Sequence, residues 1–238
     1  MNIIDAKNIS KSYEKNKRIK RVINNISLRI KKGSFVVIVG PNGSGKTTLL
    51  NLLSGTIPIS SGELIVNNIN LKDLDKKDLV NFRRENISFV FQNPNLISYL
   101  TVYQNIEMGK YLSNNSLDIN EIISLMDLEK LKNKYSNNLS GGEQHKVSIA
   151  RALIKNPKVL FLDEPTGSLD NLSSKKILSL LLSINEKYKT TIILVTHDKR
   201  IKDVADKVIE LKDGKIVSKT INKTKKDKSS LGNIEWFY

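Results

Sequence analysis

With 238 residues, 39% of them hydrophobic, the chain is long enough for one substantial core with a smaller lobe attached, and leaves little room for two independent domains. The absence of cysteine excludes a disulfide framework, an iron–sulfur cluster and a thiolate zinc site. The 39 Lys and Arg against 24 Asp and Glu give a formal net charge of +15, which compositional bias toward Lys, attraction to an anionic membrane surface and nucleic-acid binding would each explain, so charge alone selects no function.

The N-terminal MNIIDAKNISKSYEK lacks the apolar stretch of a secretory signal, and no run approaches the roughly 18 to 20 apolar residues of a membrane span, so a cytosolic chain is expected. Residues 3–9 and the alternating Ile26, Leu28 and Ile30, bounded by Lys32-Gly33, read as half-exposed strands of an antiparallel lobe. Four continuous apolar runs follow, at 35–39, 87–91, 159–162 and 191–195, with helical patterning between them; that is the pattern of parallel strands buried on both faces. Residues 101–135 show helical spacing only, which predicts a helical subdomain of about 95–155 inserted into the sheet core. Strands at 207–211 and 215–218 are joined by the hairpin turn Asp213-Gly214. The expected fold is α/β, a mainly parallel sheet with an antiparallel lobe and a helical insertion over 2–218, followed by a basic tail, 219–238, whose Trp236-Phe237-Tyr238 cluster is a candidate for docking.

Gly40-Pro41-Asn42-Gly43-Ser44-Gly45-Lys46-Thr47 matches G-x-x-x-x-G-K-[ST] and lies between the run FVVIV and a helical stretch that begins with Thr48. Glycines let such a loop wrap closely and aim backbone N–H groups at phosphate oxygens, with the helix N-terminus adding positive potential. Lys46 supplies a movable charge for the β and γ oxygens, and the Thr47 hydroxyl is short enough to ligate Mg²⁺. The run VLFL delivers Asp163 and Glu164 at the C-terminal end of a strand; Asp163 is the candidate for the Mg²⁺ shell and Glu164 for polarising an attacking water.

Leu139-Ser140-Gly141-Gly142-Glu143-Gln144, between the phosphate loop and the acidic strand, resembles the LSGGQ motif of ATP-binding cassette proteins, and the resemblance covers roughly residues 2–218. It implies an ATPase that uses ATP and Mg²⁺, with two subunits, a homodimer in the simplest case, paired head to tail so that each ATP lies between the phosphate loop of one and Ser140, Gly141 and Gly142 of the other. It implies further roles: Tyr13 stacks on adenine, Gln92 touches Mg²⁺, Ser168-Leu169-Asp170 bridges the subunits, and His197 contacts the γ-phosphate and orients the water with Glu164. Two departures stand out in this segment, Glu143 for the motif's glutamine and Lys146 for the usual arginine; Lys keeps the charge but loses the planar fork.

Pro165-Thr166-Gly167-Ser168-Leu169-Asp170 resembles the form found in lipoprotein-release, macrolide-export and antimicrobial-peptide-resistance cassettes, and LISYLTVYQNIE is similar to the same branch except for Gln104 in place of glutamate. The resemblance therefore implies an integral-membrane permease as partner, a location on the inner face of the cell membrane, and export of, or immunity to, a peptide or hydrophobic toxin. A cell-division or wall-regulating signalling ATPase of this branch is an alternative. A nucleic-acid-associated cassette is disfavoured, because such proteins usually carry two cassettes or a long coiled-coil insertion.

Overall fold

The run Phe35–Val39 (β3) is wholly buried, and its side chains divide between two cores. Phe35, Val37 and Val39 face one side; Val36 and Ile38 face the other. The strands Val159–Asp163 (β7) and Thr191–Thr196 (β8), which follow β3 in the chain, divide in the same way, so a continuous apolar run is the signature of a strand covered on both faces. The computed structural model describes residues 1–15, 18–167 and 169–223; the terminal aromatic cluster and Ser168 lie outside the described residues.

One core lies between two sheets, and the second lies on the opposite face of the larger sheet beneath helices. Asn2–Lys15 (β1), Arg18–Lys31 (β2), Ser61–Val66 (β4) and Ile69–Asn70 (β5) form an antiparallel sheet in the order β2-β1-β4-β5. Lys46–Leu53 (α1) packs into the core beneath it. The larger sheet is ordered β10-β9-β3-β8-β7-β6, with Ile87–Val90 as β6, Lys207–Lys212 as β9 and Lys215–Ile221 as β10. Its strands are parallel except for β10, which returns antiparallel to β9 at one edge. Lys76–Asn86 (α2) leads into β6. Val102–Lys110 (α3), Ile119–Leu125 (α4) and Gly141–Leu153 (α5) belong with the second core, as does Asn171–Tyr188 (α6).

Several boundaries differ from the sequence reading. β6 stops at Val90, leaving Phe91 half exposed where the chain turns toward Gln92. β10 runs to Ile221, three residues into the expected tail, because its length is set by pairing with β9, down to Ile221 opposite Lys207. Its side chains are almost all exposed, so no hydrophobic alternation marked it. β4, unassigned from sequence, completes the antiparallel lobe. The helical spacing of 101–135 resolves into α3, α4 and a short 3-10 turn at Glu129–Leu131. Gln104 proves compatible with its position: its side chain accepts from the Thr101 N–H at 2.9 Å while the Thr101 hydroxyl accepts from the Gln104 N–H, so Gln closes the capping box that Glu would close.

Candidate functional site

Four parallel strands deliver their C-terminal ends to one edge of the large sheet. β3 leads into Gly40, β6 toward Gln92, β7 into Glu164 and β8 into His197. The registers Val39 opposite Thr196 and Asp163 opposite Val195 set these ends side by side, where parallel sheets hold ligands. The loop that leaves β3 turns through Gly43 at φ 77° and Gly45 at φ 98°, a left-handed conformation that side chains disfavour. Gly40 is required for a different reason: a Cβ there would stand 2.2 Å from the Leu211 carbonyl oxygen of β9.

Lys46, the first residue of α1, is buried and folded back over its own loop, its Nζ donating to the carbonyls of Gly40 at 3.0 Å and Pro41 at 3.2 Å. Nζ also lies 3.6 Å from Glu164 Oε1. The Thr47 hydroxyl donates to Asp163 Oδ1 at 3.1 Å. Burial pushes the Asp163 carboxyl up from its ordinary range, the Thr47 hydrogen bond pulls it down, the Glu164 charge adds to the rise and Lys46 opposes it. Glu164 has φ 48°, left-handed for a residue with a Cβ, at a cost of roughly 1 kcal/mol. Its N–H donates to the Val195 carbonyl at 3.0 Å, and its side chain sits between Lys46 and His197, with Oε2 2.9 Å from His197 Nδ1. Strain is therefore held at the residue whose carboxylate joins the two strand ends.

A cleft of about 540 Å³ opens over this arrangement, lined by Asn42, Gly43, Gly45, Lys46, Thr47, Thr48, Gln92, Glu164 and His197, with Val22 from β2. The structure thus brings nine of the sequence-predicted residues together. Gly40 and Ser44 are buried in the loop and Asp163 is buried at the end of β7; Pro41 contributes its carbonyl. Tyr13 is not in the lining: it is 46% exposed on β1 opposite Lys20, with Lys11 Nζ 5.1 Å from its ring centroid.

These residues fit a nucleotide triphosphate with a divalent cation. Ser44 Oγ is buried with no hydrogen-bond partner, an unsatisfied polar atom in the middle of an anion-binding loop. Among the described residues no cluster of three or more His, Asp or Glu is placed to hold a metal.

Ser140, Gly141 and Gly142 lie outside this cleft. Ser140 caps α5 in a capping box: its N–H donates to Glu143 Oε2 at 2.8 Å, and its exposed hydroxyl donates to the same oxygen at 2.9 Å. Glu143 thus does work at the helix start that either Glu or Gln performs. Ser140, Gly142 and Lys146 border a separate pocket of about 440 Å³. Lys146 Nζ is 3.6 Å from Asp127 Oδ2. Asp170 caps α6 by accepting from the Ser173 N–H at 2.9 Å.

Sequence reasoning passed over two residues of α5. His145 is 2% exposed, its Nδ1 3.0 Å from the Gly141 carbonyl and its Nε2 3.1 Å from the Gln92 carbonyl. Arg151 donates to the Asn95 carbonyl at 3.0 Å and the Pro94 carbonyl at 2.9 Å. A signal existed: His145, Ile149 and Leu153 stand four residues apart on one buried stripe, where a histidine needs polar partners.

Comparisons with known proteins identify the family. A family model described as ABC transporter matches residues 23–167. A putative ABC transporter ATP-binding protein of Mycoplasma pneumoniae is 40% identical over 237 residues, covering 98% of this chain and 50% of that protein. The chain thus spans about half the length of that relative. The bacitracin export ATP-binding protein of Halalkalibacterium halodurans is 38% identical over 221 residues, covering 91% of this chain and 87% of that protein. Among solved structures, a dimeric ATP-binding cassette of Methanocaldococcus jannaschii in a post-hydrolysis state, bound to ADP and phosphate, superposes with a TM-score of 0.83 at 36% identity, covering 92% of this chain and 98% of that one. A phosphate loop and an acidic strand end meeting at one cleft, a Ser-Gly-Gly helix start held apart from it, and these matches together establish that the chain belongs to the ABC transporter family, as an ATP-binding cassette.

Proposed function

We propose that the chain hydrolyses Mg-ATP as one of two cassettes paired head to tail, and that the pair drives an integral-membrane permease. The observation that carries this reading is a separation of two glycine-bearing helix starts: the cleft at Lys46 has no Ser140 in its lining, and Ser140 is exposed on another pocket. Each surface is half of a site, and two copies in opposed orientation would complete both.

In the reaction, backbone N–H groups of residues 41–47 and the N-terminus of α1 bind the β- and γ-phosphates. Lys46 exchanges its carbonyl partners for phosphate oxygens. Glu164 accepts the proton of the attacking water as the oxygen bonds to the γ-phosphorus and the β–γ bridging bond breaks, giving ADP and phosphate. His197 holds the Glu164 carboxylate and faces the γ position from the end of β8. Thr47, Gln92 and Asp163 would hold Mg²⁺, which when bound neutralises charge on the β and γ oxygens. Tyr13 offers its exposed ring to the adenine. Ser140, Gly141 and Gly142 of the second copy supply donors to the γ-phosphate, so hydrolysis requires association.

The likeness to a bacitracin export cassette supports an exporter or a peptide-immunity system on the inner face of the cell membrane. No described helix is long and apolar enough to cross a membrane.

The absence of native cysteine allows a direct test. In a Glu164→Gln background, Asn42→Cys and Ser140→Cys proteins are mixed and oxidised with and without Mg-ATP. The expected result is an Asn42–Ser140 cross-linked pair that forms only with nucleotide. No cross-link, or one formed equally without ATP, refutes the head-to-tail arrangement, and absence of phosphate release from the parent refutes the ATPase reading.

A further inference from the structure

α5 starts at the Ser-Gly-Gly segment and runs back past the loop that leaves β6. Along that path it grips the loop almost entirely by backbone carbonyls. Arg151 donates to the carbonyls of Pro94 and Asn95 and His145 faces that of Gln92, while Lys155, just beyond α5, donates at 2.9 Å to the carbonyl of Ile87 at the start of β6. The His145 contact differs from the others. Its second ring nitrogen faces the carbonyl of Gly141, within the first turn of the same helix. One buried ring therefore touches both a residue that lines the nucleotide cleft of its own protomer and a residue of the segment offered to the second protomer. A neutral imidazole donates to only one of these carbonyls, and it is the tautomer with its proton on Nε2 that ties α5 to Gln92; an imidazolium donates to both.

We propose that His145 is a positioning residue that fixes the Gln92 peptide to the first turn of α5, so that occupancy of the cleft and presentation of Ser140, Gly141 and Gly142 change together. The inference rests on the paired-ATPase reading and adds to it a specific mechanical connection. It also makes a selective claim. Arg151 holds residues 94 and 95 independently, so loss of the His145 contact leaves the loop attached to α5 while releasing Gln92 itself. Nucleotide binding by a single protomer, carried by the loop at Lys46, should survive; coupling of that binding to association should not.

The test compares two near-isosteric replacements that differ in N–H donors, His145→Gln and His145→Met, each in the Glu164→Gln background. ATP binding is measured by fluorescent-nucleotide competition at protein concentrations too low for association, and dimerisation by size-exclusion chromatography at increasing Mg-ATP. His145→Met is expected to raise the ATP concentration for half-dimerisation about fivefold, as loss of one net hydrogen bond would, with single-protomer ATP affinity changed by less than about twofold. His145→Gln is expected to restore most of the dimerisation. Where His145→Met does not fold, His145→Asn, whose amide is too short to reach the Gln92 carbonyl, takes its place with the same expectation. Equal behaviour of the Gln variant and its donor-poor counterpart, or a parallel loss of ATP affinity and dimerisation, overturns the proposal. If the Glu164→Gln parent itself fails to dimerise with ATP, the paired-ATPase reading falls instead; a parent that dimerises beside an unaffected His145→Met refutes the role of His145 alone.

Discussion

Glu164→Gln keeps the shape of the side chain that joins β7 to β8 and removes only its charge. The amide can still meet His197 Nδ1, now 2.9 Å from Oε2. What it cannot do is accept a proton from water, and loss of a general base lowers turnover about 10²- to 10⁴-fold, or about 3–5 kcal/mol on the barrier. Binding should move the other way. At 3.6 Å, Lys46 and Glu164 attract by about 4–5 kcal/mol at an effective dielectric near 20, before desolvation is subtracted. Removing that competitor frees Lys46 for phosphate, and it leaves burial, the larger cause, to raise Asp163 without the added Glu164 charge. The expected variant therefore binds ATP at least as tightly as the parent, melts at a lower temperature when empty because the buried Lys46 loses its partner, and releases phosphate at one hundredth of the parent's rate or less. Calorimetric ATP titration, a thermal melt and a continuous phosphate assay read the three quantities. Turnover within about threefold of the parent would refute the assignment of Glu164 as the base, and a large loss of ATP affinity would refute the account of Lys46.

Other residues give equally direct expectations. Asp163 titrates above its ordinary value in the folded chain, so the folded state holds that proton more tightly; the stability this confers is present below the ordinary carboxylate value and lost as pH rises through the raised one. Asp163→Asn should therefore flatten the fall in urea stability with rising pH, and lose the Mg²⁺ dependence of ATP binding. Gly40→Ala forces a methyl to within 2.2 Å of the Leu211 carbonyl, and should destabilise the chain by about 1–3 kcal/mol and abolish ATP binding, read by denaturant melts and nucleotide titration. Asn105 is buried, shares its two amide N–H groups among the carbonyls of Ile97, Leu100 and Thr101, and accepts from the Ile97 N–H. Asn105→Ala should cost about 2 kcal/mol or more in urea unfolding, since it strands those partners.

The apolar runs of β3, β7 and β8 carried enough information to place buried parallel strands, because covering a strand on both faces removes the alternation that water would otherwise impose. The glycine-rich loop 40–47 was legible for a similarly local reason: its glycines, lysine and threonine stand within eight consecutive residues between a strand and a helix start. β10 was half legible, since an exposed edge strand needs a partner's hydrogen bonds rather than an apolar pattern of its own. The contacts that make a site out of these parts are not local. Thr47 meets Asp163 across 116 residues, Glu164 meets His197 across 33, and His145 meets Gln92 across 53. Periodicity and motif determined what each segment is and which chemistry it carries. The order and register of the sheet decided which segments face one another, left Tyr13 outside the cleft and set Ser140 apart from it, because pairing between distant strands is settled by packing the two cores together and leaves no mark on any single stretch of chain.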